Sequence, residues 1–193
     1  MNKPKNWESV KASTERVPLP KGGYIVKILD AKQVDTEWSS KLYVSVDIVD
    51  GEYRDFYAND YRSQTQEDKK WKGVLHQYIP KDDGSIKDGW TKSSFKAMTD
   101  SIEVSNSGYH WDWDEAHLKG KVVGCLFRLE EWVMDDGREG WKAQPFKFVP
   151  VDTIKSGKFK VPADKPKKNK SDTQASAFEE NFEEVESDDD LPF

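Results

Sequence analysis

Leu42-Tyr43-Val44-Ser45-Val46-Asp47-Ile48-Val49-Asp50-Gly51 is the stretch on which the fold turns. Leu42, Val44, Val46 and Ile48 are apolar, and Lys41, Tyr43, Ser45 and Asp47 alternate with them. That period of two is the pattern of a half-buried strand. Asp50-Gly51 follows at once, the dipeptide of a tight hairpin, because such turns need positive φ and glycine supplies it without steric cost. The chain is therefore expected to return as a strand through Tyr53-Arg54-Asp55-Phe56-Tyr57. Upstream, Gly22-Gly23 opens Tyr24-Ile25-Val26-Lys27-Ile28-Leu29, a further strand. Three strands in meander order are thus expected over 22–58.

The hairpin has two candidate registers. A two-residue turn sets Asp47 opposite Arg54 and Ser45 opposite Phe56, and places Tyr43, Arg54 and Phe56 on the solvent face. It gains an ion pair but turns Asp55 inward, which is costly. A slip of one residue exposes Tyr53, Asp55 and Tyr57 instead and sets Asp47 against Asp55. The first register is preferred.

Beyond the hairpin the pattern changes. Residues 1–20 read as an N-terminal arm with three prolines. The stretch 59–118 is long and heterogeneous, with Lys69-Lys70-Trp71-Lys72, a turn at Asp82-Asp83-Gly84, and a helix predicted near 93–104. Ser93 or Ser94 would cap that helix, Phe95, Met98 and Ile102 recur at helical spacing, and Asn106-Ser107-Gly108 would stop it. A fourth strand is expected over 121–133, a turn at Asp135-Asp136-Gly137, and a fifth strand over 141–151. Pro145 assigns the fifth strand to an edge or a bulge. Five strands with a helical connection between the third and fourth follow the order of an OB-fold, a small partly open barrel. From 155 the chain reads as a flexible linker to 187, ahead of a terminal tip at 188–193, so the folded domain is expected at 21–154.

Composition sharpens this division. The net charge is −6, yet residues 171–193 carry nine acidic side chains and no Lys or Arg. The remaining 170 residues hold 30 basic and 27 acidic side chains, a body of about +3. Residues 155–170 contribute seven Lys against one Asp. A basic body attracts phosphates, and an acidic tail attracts basic partners or its own body. No apolar run approaches the ~20 residues of a membrane span, and the start of the chain does not read as a signal peptide. A lone cysteine, Cys125 in an apolar run, points to a buried thiol and a reducing, cytoplasmic compartment. His76, His110 and His117 lack partners at ligand spacing, and neither a Walker loop nor Gly-x-Ser-x-Gly occurs. A non-enzymatic protein without cofactor or metal is expected.

The last residues, Asp188-Asp189-Asp190-Leu191-Pro192-Phe193, place three carboxylates before an apolar tip. A phenyl ring with a carboxylate beside it can fill a small pocket rimmed by cations. This tip resembles the acidic C-terminal peptide of bacterial-type single-stranded DNA-binding proteins. Glu103-Val104-Ser105-Asn106-Ser107-Gly108-Tyr109 and the Trp-rich segment after it resemble a bacteriophage-encoded family that fills the same role in Gram-positive hosts. The resemblance implies a protein that coats single strands during replication, recombination and repair and recruits partner proteins through 188–193. The long 59–118 segment departs from bacterial members, so their tetramer does not carry over, and a monomer or dimer is favoured.

Single strands are gripped by cations along the backbone path and flat rings on which bases stack. Besides Tyr43, Arg54 and Phe56, the expected contacts lie in two loops. Lys32, Trp38 and Lys41 bracket the first, and Trp132, Arg138, Trp141 and Lys142 the second. Trp111 and Trp113 sit among acidic residues and read as packing. The tail, tethered by ~30 residues, would hold its acidic tip at about millimolar local concentration near the body and compete weakly with DNA. Two other classes fit parts of the chain. One is an accessory protein that engages host partners through the tip without strong DNA binding. The other is a carbohydrate-binding module with exposed tryptophans.

Overall fold

The computed structural model describes residues 17–36, 39–134 and 136–167. Over the described residues it is mainly β: five antiparallel strands in one sheet of order β3-β2-β1-β4-β5, not closed into a barrel, with three helices. The strands are β1 (Gly22–Asp35), β2 (Ser40–Ile48), β3 (Val74–Tyr78), β4 (Val122–Val133) and β5 (Glu139–Val149). Helices α1 (Phe56–Ser63), α2 (Ile86–Ser105) and α3 (Val151–Ser156) join them, with a short 3₁₀ turn at Glu115–Leu118. As expected, α2 connects the third strand to the fourth.

The alternation in β2 does what its period requires. Leu42, Val44, Val46 and Ile48 are all buried, packed with Val26 and Ile28 of β1, Leu75 of β3 and Val123 and Phe127 of β4. The expected hairpin does not form. After Gly51, at φ 80°, the chain coils back so that the Asp55 N–H donates to the Ile48 carbonyl at 2.9 Å. Asp47, expected to face solvent opposite Arg54, is only 5% exposed. Its carboxylate accepts the N–H groups of Tyr57 (2.9 Å) and Ala58 (3.0 Å) and so starts α1. Residues read as an alternating strand are therefore the lead-in and first turn of a helix. Tyr57 and Asp60, three residues apart, are its buried positions.

The third strand lies further on, at Val74–Tyr78, paired with β2 from Lys41↔Tyr78 to Ser45↔Val74. Gly73 precedes it because the space is taken: a Cβ there would sit 2.5 Å from the Tyr57 ring and 2.6 Å from the Val46 carbonyl.

Helix α2 buries Phe95, Met98 and Ile102, as its spacing predicted, but starts earlier than Ser93. Ser85 is the cap, accepting the Asp88 N–H at 3.1 Å. At the other end Asn106 donates to the carbonyls of Ile102 (2.7 Å) and Val122 (2.8 Å) and accepts the Val122 N–H (3.1 Å), which pins the helix to β4. In β5 the register shifts opposite Leu126 and Phe127, so Pro145 stands at a bulge in an edge strand, where its missing N–H costs least.

Residues 155–167, expected as linker, instead continue the fold. α3 ends at Gly157, and the chain then runs beside β4. The Lys165 N–H donates to the Leu129 carbonyl (2.8 Å) and its carbonyl accepts the Glu131 N–H (2.9 Å). Asp164 pairs with Lys21 at 2.8 Å, and the Lys167 ammonium donates to the Val133 carbonyl at 2.8 Å. This strap covers the β4 edge that β1, paired only with residues 122–127, leaves open. Among the described residues no helix is long and apolar enough to cross a membrane.

Candidate functional site

Where the sheet stops short of closing, β3 faces β4 and β5 across a groove of about 500 Å³. Its cations come from five places: Lys41 on β2, Lys72 before β3, Arg128 on β4, Lys142 on β5 and Lys165 on the strap. Glu130 is the one carboxylate among the lining residues. Four rings join them, Trp71, His76, Tyr78 and Phe146.

The strand registers explain this gathering. On β2 and β3 the residues facing away from the core are Lys41, Tyr43 and Ser45 with Tyr78, His76 and Val74 opposite. Tyr43 stacks on His76 with centroids 4.2 Å apart, and Lys41 lies over the Tyr78 ring at 4.5 Å. On β4 and β5 the corresponding face carries Arg128 opposite Gln144 and Glu130 opposite Lys142. The Arg128 guanidinium sits over Phe146 at 4.1 Å while donating to Glu130 at 3.1 Å. Trp71 is held by its indole N–H, which donates to the Val46 carbonyl at 3.1 Å.

The electrostatics follow from this crowding. Partial desolvation of the His76 ring, and then the Lys41 ammonium beside it, push its imidazole below the ordinary range. Glu130, from the other wall, pulls the other way. At neutral pH the ring is therefore uncharged, and an arriving anion would favour its protonation. The groove can bind an extended anion and offer flat apolar faces beside it. Cys125, fully buried at the core, has its thiol pushed far up by desolvation and is no nucleophile. Among the described residues, His, Cys, Asp and Glu form no group of three that could hold a metal ion.

Of the residues expected from sequence, Lys41 and Lys142 line the groove. Lys32 lies directly opposite Tyr43 in the β1–β2 register, so both belong to the face that adjoins it. Trp132, opposite Gly140, continues the Arg128–Glu130 face along the β4–β5 hairpin. A Cβ at Gly140 would meet the Trp132 indole at 2.8 Å, so the glycine gives that ring its seat. Trp141 pairs with Glu131 and points to the opposite face, 47% exposed. Arg138, in the turn, forks onto Asp136 at 2.7 Å. Two strand-face placements are corrected. Arg54 stands on the irregular turn rather than on a strand face, and Phe56 packs against the core beside Tyr53 and Tyr57. Both followed the hairpin that Asp47 replaces with a helix. Trp38 and the tip, Asp188 to Phe193, lie outside the described residues.

Sequence reasoning missed His76, Tyr78, Arg128, Phe146 and Lys165. The Lys-Trp-Lys cluster at 70–72 was the available signal for the β3 side. No family model matches the chain. No curated protein matches it either.

Proposed function

We propose that this protein is a non-enzymatic single-stranded DNA-binding protein that holds the strand in the groove between β3 and the β4–β5 wall. The observation that carries the reading is the composition of that groove: five cations and four rings around one carboxylate. Cations follow a phosphate chain, and each stacked base adds about 1–3 kcal/mol without regard to sequence. The strand order, with α2 between the third and fourth strands, supports an OB-type arrangement, in which β3 and β5 face each other at the seam. The acidic tail and its Leu-Pro-Phe tip would recruit replication, recombination or repair proteins to the coated strand. The resemblance of the tip and of the 103–113 segment supports a phage-encoded role in the host cytoplasm.

Quenching of tryptophan fluorescence by oligo-dT, at low and at physiological salt, tests the proposal. Strong quenching that weakens with salt is expected. An unchanged spectrum at low salt removes the DNA role and leaves the accessory reading, and quenching by an oligosaccharide alone would favour a sugar module.

A further inference from the structure

We propose that the strap at 163–167 is part of the ligand site, completing a subsite for one backbone phosphate from Arg128, Lys142 and Lys165 around Glu130. The inference rests on the single-strand reading and adds to it a stretch of chain whose composition alone says linker.

Glu130 is the centre of the geometry. Arg128, on the same strand, donates to its carboxylate at 3.1 Å. Lys142 lies directly opposite it on β5. Lys165 lies opposite it on the other side, in the parallel bridge between the strap and β4. Side chains directly opposed on neighbouring strands share a face at about 5 Å between Cβ atoms. One cation of β4, one of β5 and one of the strap thus share a face with this carboxylate, and all four side chains line the groove. Glu130 accepts from Arg128, whose guanidinium lies over Phe146. The excess of positive charge that remains matches a phosphodiester, with the Phe146 ring beside it for a base.

The strap is built to stay in place. Its backbone is bonded on both sides of Lys165 to Leu129 and Glu131, and the Lys167 N–H donates to the Glu131 carboxylate at 2.9 Å. Pro162 is buried, and Asp164 is tied to Lys21. These bonds use the main chain and the neighbours of Lys165, so they do not depend on its ammonium group.

The test uses the full chain and a labelled oligo-dT, with affinity measured by anisotropy across a salt series. Lys165→Gln is compared with Lys160→Gln, which removes an exposed charge from the same stretch outside the groove. Lys165→Gln should weaken binding several-fold and lower the salt slope by roughly 0.7, the increment for one phosphate on a single strand. Lys160→Gln should do neither. Glu130→Gln should tighten binding, since it removes the competing carboxylate. If Lys165→Gln keeps the affinity and slope of the parent, or falls no further than Lys160→Gln, the strap is not part of the site. Failure of the unaltered chain to bind oligo-dT would show itself separately, and would remove the single-strand reading along with the inference.

Discussion

The Asp47 carboxylate accepts the Tyr57 N–H across ten residues of chain, at 2.9 Å, and the same group accepts the N–H groups of Ile48 and Ala58. One buried side chain of β2 thus decides that the next element is a helix. The first N–H groups of a helix have no partner within it, and a carboxylate placed there is favoured by the helix dipole as well. Asp47→Ala should therefore cost about 1.5–3 kcal/mol, the range for hydrogen bonds to a charged group, because it leaves the Tyr57 and Ala58 N–H groups without an acceptor. Urea unfolding measures it. Burial raises the Asp47 carboxyl above its ordinary value, more than the three N–H groups lower it. This group's contribution is then fully present below the unfolded carboxyl range and declines as pH rises through the raised folded value. Asp47→Asn should flatten that decline in the weakly acid range.

Gly73 and Gly140 both lack room for a side chain, but with opposite consequences. At Gly73 the obstacles are the buried Tyr57 ring and the Val46 carbonyl, neither of which can retreat. Gly73→Ala should destabilise the fold by about 1–3 kcal/mol, as overpacking does. At Gly140 the obstacle is the Trp132 indole on the hairpin, which can swing away. Gly140→Ala should leave the melting temperature within about a degree or two and change the emission of Trp132 instead. Thermal unfolding followed by circular dichroism, with fluorescence alongside, separates the two.

The strands that sequence revealed are the longer ones: β1, β2 and β4 each carry two or more buried Val, Ile, Leu or Phe, and β5, with Phe148 alone among them, runs for eleven residues. β3 escaped because it is five residues long and only Leu75 of it is buried among the core side chains. Tyr53 and Tyr57 imitated one face of a strand because turn and helix start happened to space their rings by four. Nothing local in that segment announces the helix; the deciding group is Asp47, on another element. The site was legible in the same measure. Lys41 and Lys142 flank turns that sequence could see. Tyr78 and His76 needed β3, and Lys165 needed the open edge of β4, a partner no composition of 155–170 records.

Rings and cations in and beside the groove should fail differently. Tyr43 stacks on His76 and carries no charge, so Tyr43→Ala should cost oligo-dT binding about 1–3 kcal/mol with the salt slope unchanged. Lys142→Ala should cost less at physiological salt and lower the slope by about 0.7. Trp141, on the far face of the hairpin, should tolerate Ala with little change in affinity. Anisotropy titrations across a salt series distinguish a stacking platform from a phosphate contact. Equal slopes for Tyr43→Ala and Lys142→Ala would show that the two residues are not divided in this way.

Binding should also take up a proton. The His76 imidazole is held below its ordinary range, first by desolvation and then by Lys41, so it is neutral in the free protein near pH 7. A phosphate entering the groove adds negative charge beside it and raises that value, which favours the imidazolium. Linkage then requires that affinity for oligo-dT rise as pH falls from about 7.5 to about 5.5, the range in which an imidazole titrates. His76→Gln keeps a polar group against Tyr43 and removes the titration, so its affinity should be flat over the same range. A parent protein whose affinity shows no pH dependence there would place His76 outside the path of the strand.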